Sequence, residues 1–387
     1  ARRGAGTGAD DATRLFVATG DDLSQLAARL GDDEAVLAGS DLHALGDPGP
    51  VRLAIADPTP KRLELARKVV ARGQPWRGRN DVWFAPEGLI AAGGRVAFAF
   101  PGIEPTFDAR VDDVARHFGV GAELVERSSD LERQGATIMY VGRLLTEALA
   151  GLNIRPDVVV GHSLGEWTAM LVAGAVTREA IDRFVHGIAD GDLVLPDLVF
   201  LALGCGVDVA EAAIADLPDI AVSHDNCPHQ VIVCGSEASV AIAQERLKAQ
   251  RVLGQVLPFR TGFHTPMFAD YLQPFEDALG TLPIHRPTVP LYSSVTGQRF
   301  PEGEAAMRDL GRRLYIERVR FRELVETLYA DGVRVFVQPG VGSVVGFVGD
   351  TLHDREHLAV AGAAPKRSGM GQLTRVAAAL FVEGAAS

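Results

Sequence analysis

Gly161-His162-Ser163-Leu164-Gly165 is the segment of this sequence best equipped for chemistry. It follows the apolar run Asp157–Val160 and precedes an apolar helical pattern that reaches about Ala173. A serine in that strand–turn–helix setting is the nucleophile of a G-x-S-x-G elbow. Glycines flank it because the turn is tight and the backbone passes close to its neighbours. The turn lifts the hydroxyl to the sheet edge. The helix behind it aims its first N–H groups at developing negative charge. A serine hydroxyl also needs a base. Among ten histidines, His264 stands at a break between an apolar run ending at Phe259 and a helix started by Pro266, which puts it on a loop at the sheet edge. His353 and His357 are rivals, since a serine hydrolase would pair one of them with an aspartate in the chain order Ser…Asp…His. Cys205, Cys227 and Cys234 form an odd set without C-x-x-C spacing. They read as structural thiols in a reducing compartment, not as a disulfide framework or a zinc cluster.

The elements that must position these groups alternate between β-branched runs and amphipathic stretches, which predicts an α/β fold with a largely parallel sheet. Strands are expected at Leu15–Ala18 and Val51–Ala56, and helices at Ser24–Leu30 and Pro60–Val70. Gln74–Leu89, rich in Gly, Pro and aromatics, reads as a surface connector. A larger unit opens with the strand Arg95–Phe100 and the turn Pro101-Gly102, followed by a long helix over Gly135–Gly151. Two strand–helix–strand pairings then follow. The first is Val199–Leu203, a helix from Asp208, and Ile220–Ser223. The second is Val231–Cys234, a helix from Ser236, and Val252–Leu257. Together they predict a ferredoxin-like insert over about 192–258. Val333–Val337 reads as the last buried strand.

The 387 residues suggest two or three packed units at roughly 100–200 residues each. A hydrophobic content of 47% argues against general disorder. The net charge of −12 argues against non-specific nucleic-acid binding. The longest apolar runs are too short for a transmembrane helix, so no membrane role is expected. The chain does not begin with Met and has no signal-peptide core; a fragment of a longer, cytoplasmic protein is expected.

GHSLGE (161–166), GFHTP (262–266) and FVQPGVGSVVG (336–346), in that order, resemble the malonyl-CoA:acyl carrier protein acyltransferase family. FAFPG (98–102) is similar to that family's FxFPGQGSQ opening. Residues 1–93 resemble the linker between ketosynthase and acyltransferase in type I polyketide synthases, which make antibiotics among other products. Residues 363–387 resemble the start of the linker that follows. The wording FPGIEPTFDARVDDVARHFG is more like iterative synthases of the enediyne type. The implied architecture is α/β. A hydrolase-like parallel-sheet large subdomain covers 94–191 and 259–362, with the ferredoxin-like small subdomain inserted and the small α/β linker domain in front.

The resemblance implies a Ser–His dyad in which Ser163 accepts the acyl group and His264 is its base. A backbone carbonyl near Leu314 would orient the imidazole. The backbone N–H groups of Leu164 and Ile103 would form the oxyanion hole; a backbone donor is indifferent to Ile103 standing where the family has Gln. Gln134, His162 and Phe263 would line the substrate site. The implied substrate is malonyl-CoA, and the acceptor is the phosphopantetheine thiol of an acyl carrier protein, beside a neighbouring ketosynthase. No bound cofactor or metal is implied. Phe263 directly before His264 implies malonyl in preference to methylmalonyl. One departure concerns an arginine that the family carries about 25 residues after the serine to pair with the malonyl carboxylate. Here Arg183-Phe184-Val185-His186-Gly187-Ile188 holds none at that place. Arg260 is the candidate replacement. An acidic carrier would need a basic face, for which Arg312, Arg313, Arg318, Arg320 and Arg322, or Lys61, Arg62, Arg67 and Lys68, are candidates. A serine hydrolase and an inactive docking module remain the alternatives.

Overall fold

A computed structural model describes residues 13–39, 49–105, 107–120, 131–189 and 194–385. The chain first forms β1 (Leu15–Gly20), α1 (Leu23–Arg29), α2 (Asp33–Ala38), β2 (Val51–Ala56), α3 (Pro60–Arg72), β3 (Trp76–Arg77) and β4 (Val82–Ala85). The strands make an antiparallel sheet in the order β1-β2-β4-β3. Side chains alternate across a strand. Phe16, Leu53, Ile55 and Phe84 therefore pack under the helices, while Val17, Ala54, Trp83 and Ala85 join the main core on the other face. Burial on both faces explains why these strands read as continuous apolar runs. α3 starts where Thr59 accepts the N–H of Arg62 and Pro60 takes the first turn; it stops at Gly73 in the left-handed region (φ 65).

The surface connector expected over Gln74–Leu89 is corrected here. Val82–Ala85 is fully buried and lies between β2 and β3. Four residues are too few to show a period, and the turn before them, with Asn80 at φ 60, hid the strand among loop residues.

The large unit contributes β5 (Arg95–Phe100), α4 (Asp112–Phe118), α5 (Leu131–Gly151), β6 (Val158–Gly161), α6 (Gly165–Val172) and α7 (Arg178–Ala189). β7 (Val199–Leu203), α8 (Val207–Ile214), β8 (Ile220–Cys227), β9 (Gln230–Gly235), α9 (Glu237–Ala249) and β10 (Gly254–Arg260) follow. The chain returns through α10 (Gln273–Thr281), β11 (Leu291–Ser293), β12 (Gln298–Arg299), α11 (Glu304–Ile316), β13 (Val319–Arg320), α12 (Phe321–Ala330), β14 (Val333–Gln338), α13 (Val344–Thr351) and β15 (Leu358–Ala361). It ends in α14 (Gly369–Val382). The main sheet runs β12-β11-β6-β5-β14-β15 and is parallel except for β12. β14 is the last buried strand, as expected; β15 pairs with it in parallel at the sheet edge, with only Leu358 buried.

Strands β7 to β10 form the antiparallel order β10-β7-β9-β8 with two crossing helices, a ferredoxin-like unit. The seam expected at 191/192 lies outside the described residues. β13, from the returning chain, adds to this small sheet in parallel with β8, opposing Val319 to His224. That pairing ties the small unit to the α11–α12 connection. The segment read as a C-terminal linker is largely a buried helix. In α14, Arg375 reaches Asp81 (2.9 Å) and Asp57 (2.8 Å), and Arg77 reaches Glu383 (2.7 Å) just beyond the helix. Among the described residues no helix is long and apolar enough to cross a membrane.

Candidate active site

β6 ends at Gly161, directly opposite Phe100 of β5. The chain turns through Ser163 at φ 54, a left-handed conformation that a non-glycine residue adopts under strain. Both flanking glycines are sterically required: a Cβ on Gly161 would lie 2.1 Å from the Glu166 nitrogen, and one on Gly165 would lie 2.1 Å from the Phe100 oxygen. The turn is closed by the Glu166 N–H donating to the Ser163 carbonyl (2.9 Å). Gly102 lies so near that a Cβ there would be 3.1 Å from the Ser163 Cβ, which brings the following residue, Ile103, beside the nucleophile. The N–H groups of Ile103 and Leu164 make no hydrogen bond within the described residues.

His264 is brought in from the segment after β10. It sits at φ 64, and its N–H donates to the Tyr315 carbonyl (2.7 Å). Its Nε2 lies 2.6 Å from the Ser163 Oγ. Burial, with a contribution from His162, pushes His264 down to about 3, so the ring is neutral and able to accept a proton; the Leu314 and Glu317 backbones act in the opposite sense. Nδ1 is sealed from solvent without a hydrogen bond of acceptable geometry. Leu314 therefore lies beside the ring, but its carbonyl does not close the orienting bond.

Gln134 donates from Nε2 to the Glu104 carbonyl (2.9 Å) and so braces the loop that carries Ile103. The same loop is latched from the other side: the Glu104 carboxylate accepts the Ser343 N–H (2.7 Å) and hydroxyl (3.0 Å). His162 is not free for substrate, because its Nε2 is 2.7 Å from the Asn226 Oδ1 and its ring stacks on His224 (5.4 Å, 17°). Phe263 packs among Phe268, Phe275 and Tyr315, with ring centroids 4.7–5.9 Å away. The Arg260 expectation is corrected: its guanidinium is half exposed and held by Asp197 (2.7 Å) and Glu237 (3.0 Å). Both partners are exposed surface carboxylates, so the guanidinium is already committed and does not stand as the replacement cation. The place where the family arginine was sought lies in α7, among side chains outside the described residues. His353 and His357 are exposed and bonded to the backbone of Asp350 and Arg355, away from Ser163.

Sequence reasoning also missed Glu166, His224 and Asn226. Glu166 is buried in the first turn of α6 and accepts from the Ser294 N–H (2.6 Å), the Ser294 hydroxyl (2.5 Å) and the Ser293 hydroxyl (3.1 Å). Burial outweighs these donors and pushes its carboxyl up to about 7. The folded state thus holds this proton more tightly than the unfolded chain. The resulting stabilisation is complete below about pH 4.5 and is lost as pH rises through about 7, a swing of about 3 kcal/mol. Thermal unfolding of the native chain and Glu166→Gln from about pH 5 to pH 8 should show the difference in Tm drifting toward the variant as pH rises. A difference independent of pH would contradict the buried-acid reading.

A nucleophile elbow on a parallel sheet, facing a histidine at the edge of a ferredoxin-like insert, places the chain among α/β proteins organised around one activated serine. The chain belongs to the acyl transferase domain family, whose model matches residues 135–385. It is 28% identical over 305 residues to a type I polyketide synthase of phenolphthiocerol synthesis from Mycobacterium marinum, covering 73% of this chain and 14% of that protein. It therefore spans a small part of that relative. It is 23% identical to the malonyl CoA-acyl carrier protein transacylase of Bacillus subtilis, covering 65% of this chain and 88% of that one. Its fold is similar to the crystal structure of the acyltransferase domain of an iterative polyketide synthase in enediyne biosynthesis (TM-score 0.76, 22% identity, 97% of both chains).

Proposed function

We propose that this chain is the acyltransferase domain of a polyketide synthase, loading malonyl from malonyl-CoA onto Ser163 and passing it to the phosphopantetheine thiol of an acyl carrier protein. The 2.6 Å approach of the Ser163 Oγ to the His264 Nε2 carries the reading. His264 takes the hydroxyl proton as Oγ attacks the thioester carbonyl. The open N–H groups of Leu164 and Ile103 are placed to receive the oxyanion. The imidazolium returns the proton to the departing CoA thiolate. In the second half the carrier thiol gives its proton to His264, its sulfur attacks the acyl-serine ester, and Ser163 leaves with the proton. No step calls for a metal or a redox cofactor. The transacylase from Bacillus subtilis supports malonyl as the acyl group. Phe263, fixed by three aromatic neighbours, supports exclusion of an α-methyl, since overpacking costs about 1–3 kcal/mol.

We read residues 1–93 as the linker toward a ketosynthase and place the domain in the cytoplasm. The basic sets proposed for carrier docking are largely matched by carboxylates: Arg313 by Glu317, Arg318 by Glu211, Arg322 by Asp225, Arg62 by Asp81 and Lys68 by Glu64. Neither set supports a strongly positive face. Intact-mass spectrometry after mixing the chain with acetyl-, malonyl- and methylmalonyl-CoA tests the reading. Malonyl should dominate, the adduct should persist, and adding the carrier protein should discharge it. Rapid release to water would point to a hydrolase, and no adduct at all to an inactive module.

A further inference from the structure

We propose that His224 binds the free carboxylate of the dicarboxylic acyl group carried on Ser163. The inference rests on the acyltransferase reading above and names a specificity residue for it. β8 delivers His224 from the small unit, and its pairing with β13 fixes the register that opposes His224 to Val319. The imidazole packs edge-on against His264 (4.8 Å between centroids, 73°), whose Nε2 in turn meets the Ser163 Oγ. On its other side it stacks on His162, which Asn226 holds in place. The ring packed on the general base is thus a second imidazole, itself stacked on a third.

The side chain is only 8% exposed, yet it is half satisfied. Nδ1 lies 2.9 Å from the Ser223 Oγ, while Nε2 has no hydrogen-bond partner among the described residues. Nε2 is not among the side-chain atoms sealed from solvent, so a small ligand group can reach it. An unpaired nitrogen on the ring that meets His264 is what a ligand carboxylate, acceptor-only in character, would complete. Ser223 makes the change of tautomer easy. Its hydroxyl is in reach of the Ile232 carbonyl (3.1 Å) and of Nδ1, so it can accept from Nδ1–H or turn and donate to it, leaving the proton on Nε2. Burial first, then His264 and His162, keep His224 well below the usual imidazole range in the free protein. An incoming carboxylate works in the opposite sense and favours the protonated ring. Arg260, committed to two surface carboxylates, does not compete for the role.

Direct competition between malonyl-CoA and acetyl-CoA on the full chain, read by intact mass, tests this. The two acyl groups differ by the carboxylate. His224→Phe retains a ring against His264 and removes both nitrogens; the malonyl-to-acetyl loading ratio should fall about 10–150-fold, the worth of a charge-assisted hydrogen bond. His224→Gln, which keeps an N–H donor, should recover most of that ratio. Where the phenyl ring is not tolerated in the fold, as judged by circular dichroism, His224→Leu replaces it in the comparison with His224→Gln. An unchanged ratio, or equal losses for both acyl groups in the donor-free variant, overturns the proposal. A native chain that loads neither acyl group overturns the acyltransferase reading itself.

Discussion

Ser163→Ala should abolish acyl-enzyme formation, and His264→Ala should slow it by about 10²–10⁴-fold, the usual cost of removing a positioned general base. The geometry gives His264 no substitute. His224 touches its ring but its one hydrogen bond among the described residues is to Ser223, and His353 and His357 are bonded within their own loops. Loading should also be insensitive to moderate acid. With His264 pushed down to about 3 by burial, the base stays neutral, and kcat/KM for loading should be level from about pH 8 to about pH 5. An acid limb near the ordinary imidazole value would mean that the ring titrates freely and is not sealed as described. If His264→Ala loaded at the native rate while His353→Ala or His357→Ala failed, the Ser…Asp…His order of a hydrolase would replace the dyad.

Long apolar strands were legible because their burial is uniform. Arg95–Phe100, Val199–Leu203 and Val51–Ala56 were read with the bounds they have in the structure. β6 and β9 were shifted or extended by a residue at their ends. The strands that escaped were β3, β4, β11, β12, β13 and β15, which have two to four residues and owe their existence to a partner already in place. A local pattern cannot announce such a strand, because the information lies in the neighbour. β8 is the instructive case. Its apolar alternation fades at Ser223, where the sequence reading stopped, yet the strand continues through His224, Asp225 and Asn226 to Cys227. Those residues are polar because they face His162, Arg322 and the reacting pair, and pairing with β9 and β13 holds them extended. The strand end looked like a loop because it carries chemistry.

The same asymmetry holds within the site. Ser163 and His264 were legible as types in a setting: a serine between glycines after a strand, and a histidine at a break before proline. Glu104 was not, because its latch to Ser343 joins residues far apart in the chain, and neither alone suggests a pair. Arg260 misled because distance along a chain says nothing about which carboxylates a guanidinium meets in the fold.

Gly165→Ala should remove both stability and loading, although it adds a single methyl group. Its Cβ would lie 2.1 Å from the Phe100 oxygen, 2.7 Å from the Phe100 carbon and 2.8 Å from the Pro101 oxygen. All three are backbone atoms, so no side chain can swing away to make room. The clash must be relieved by moving β5 off β6 or by opening the elbow, at a cost of about 3 kcal/mol or more. Either movement shifts Pro101 and, two residues on, the N–H of Ile103. The oxyanion donor and the Ser163 hydroxyl would then lose their common geometry even in molecules that fold. Gly346→Ala is the matched control. Gly346 is exposed within α13, and nothing lies within 4 Å of its would-be Cβ. Alanine is favoured over glycine in a helix interior by about 1 kcal/mol, so this variant should gain slightly in Tm and load at the native rate. Thermal unfolding and intact-mass loading of the two variants side by side decide the matter. Native stability and loading in Gly165→Ala would show that the elbow is looser than its contacts require, and that the strain at Ser163 is not held in place by the closeness of these strands.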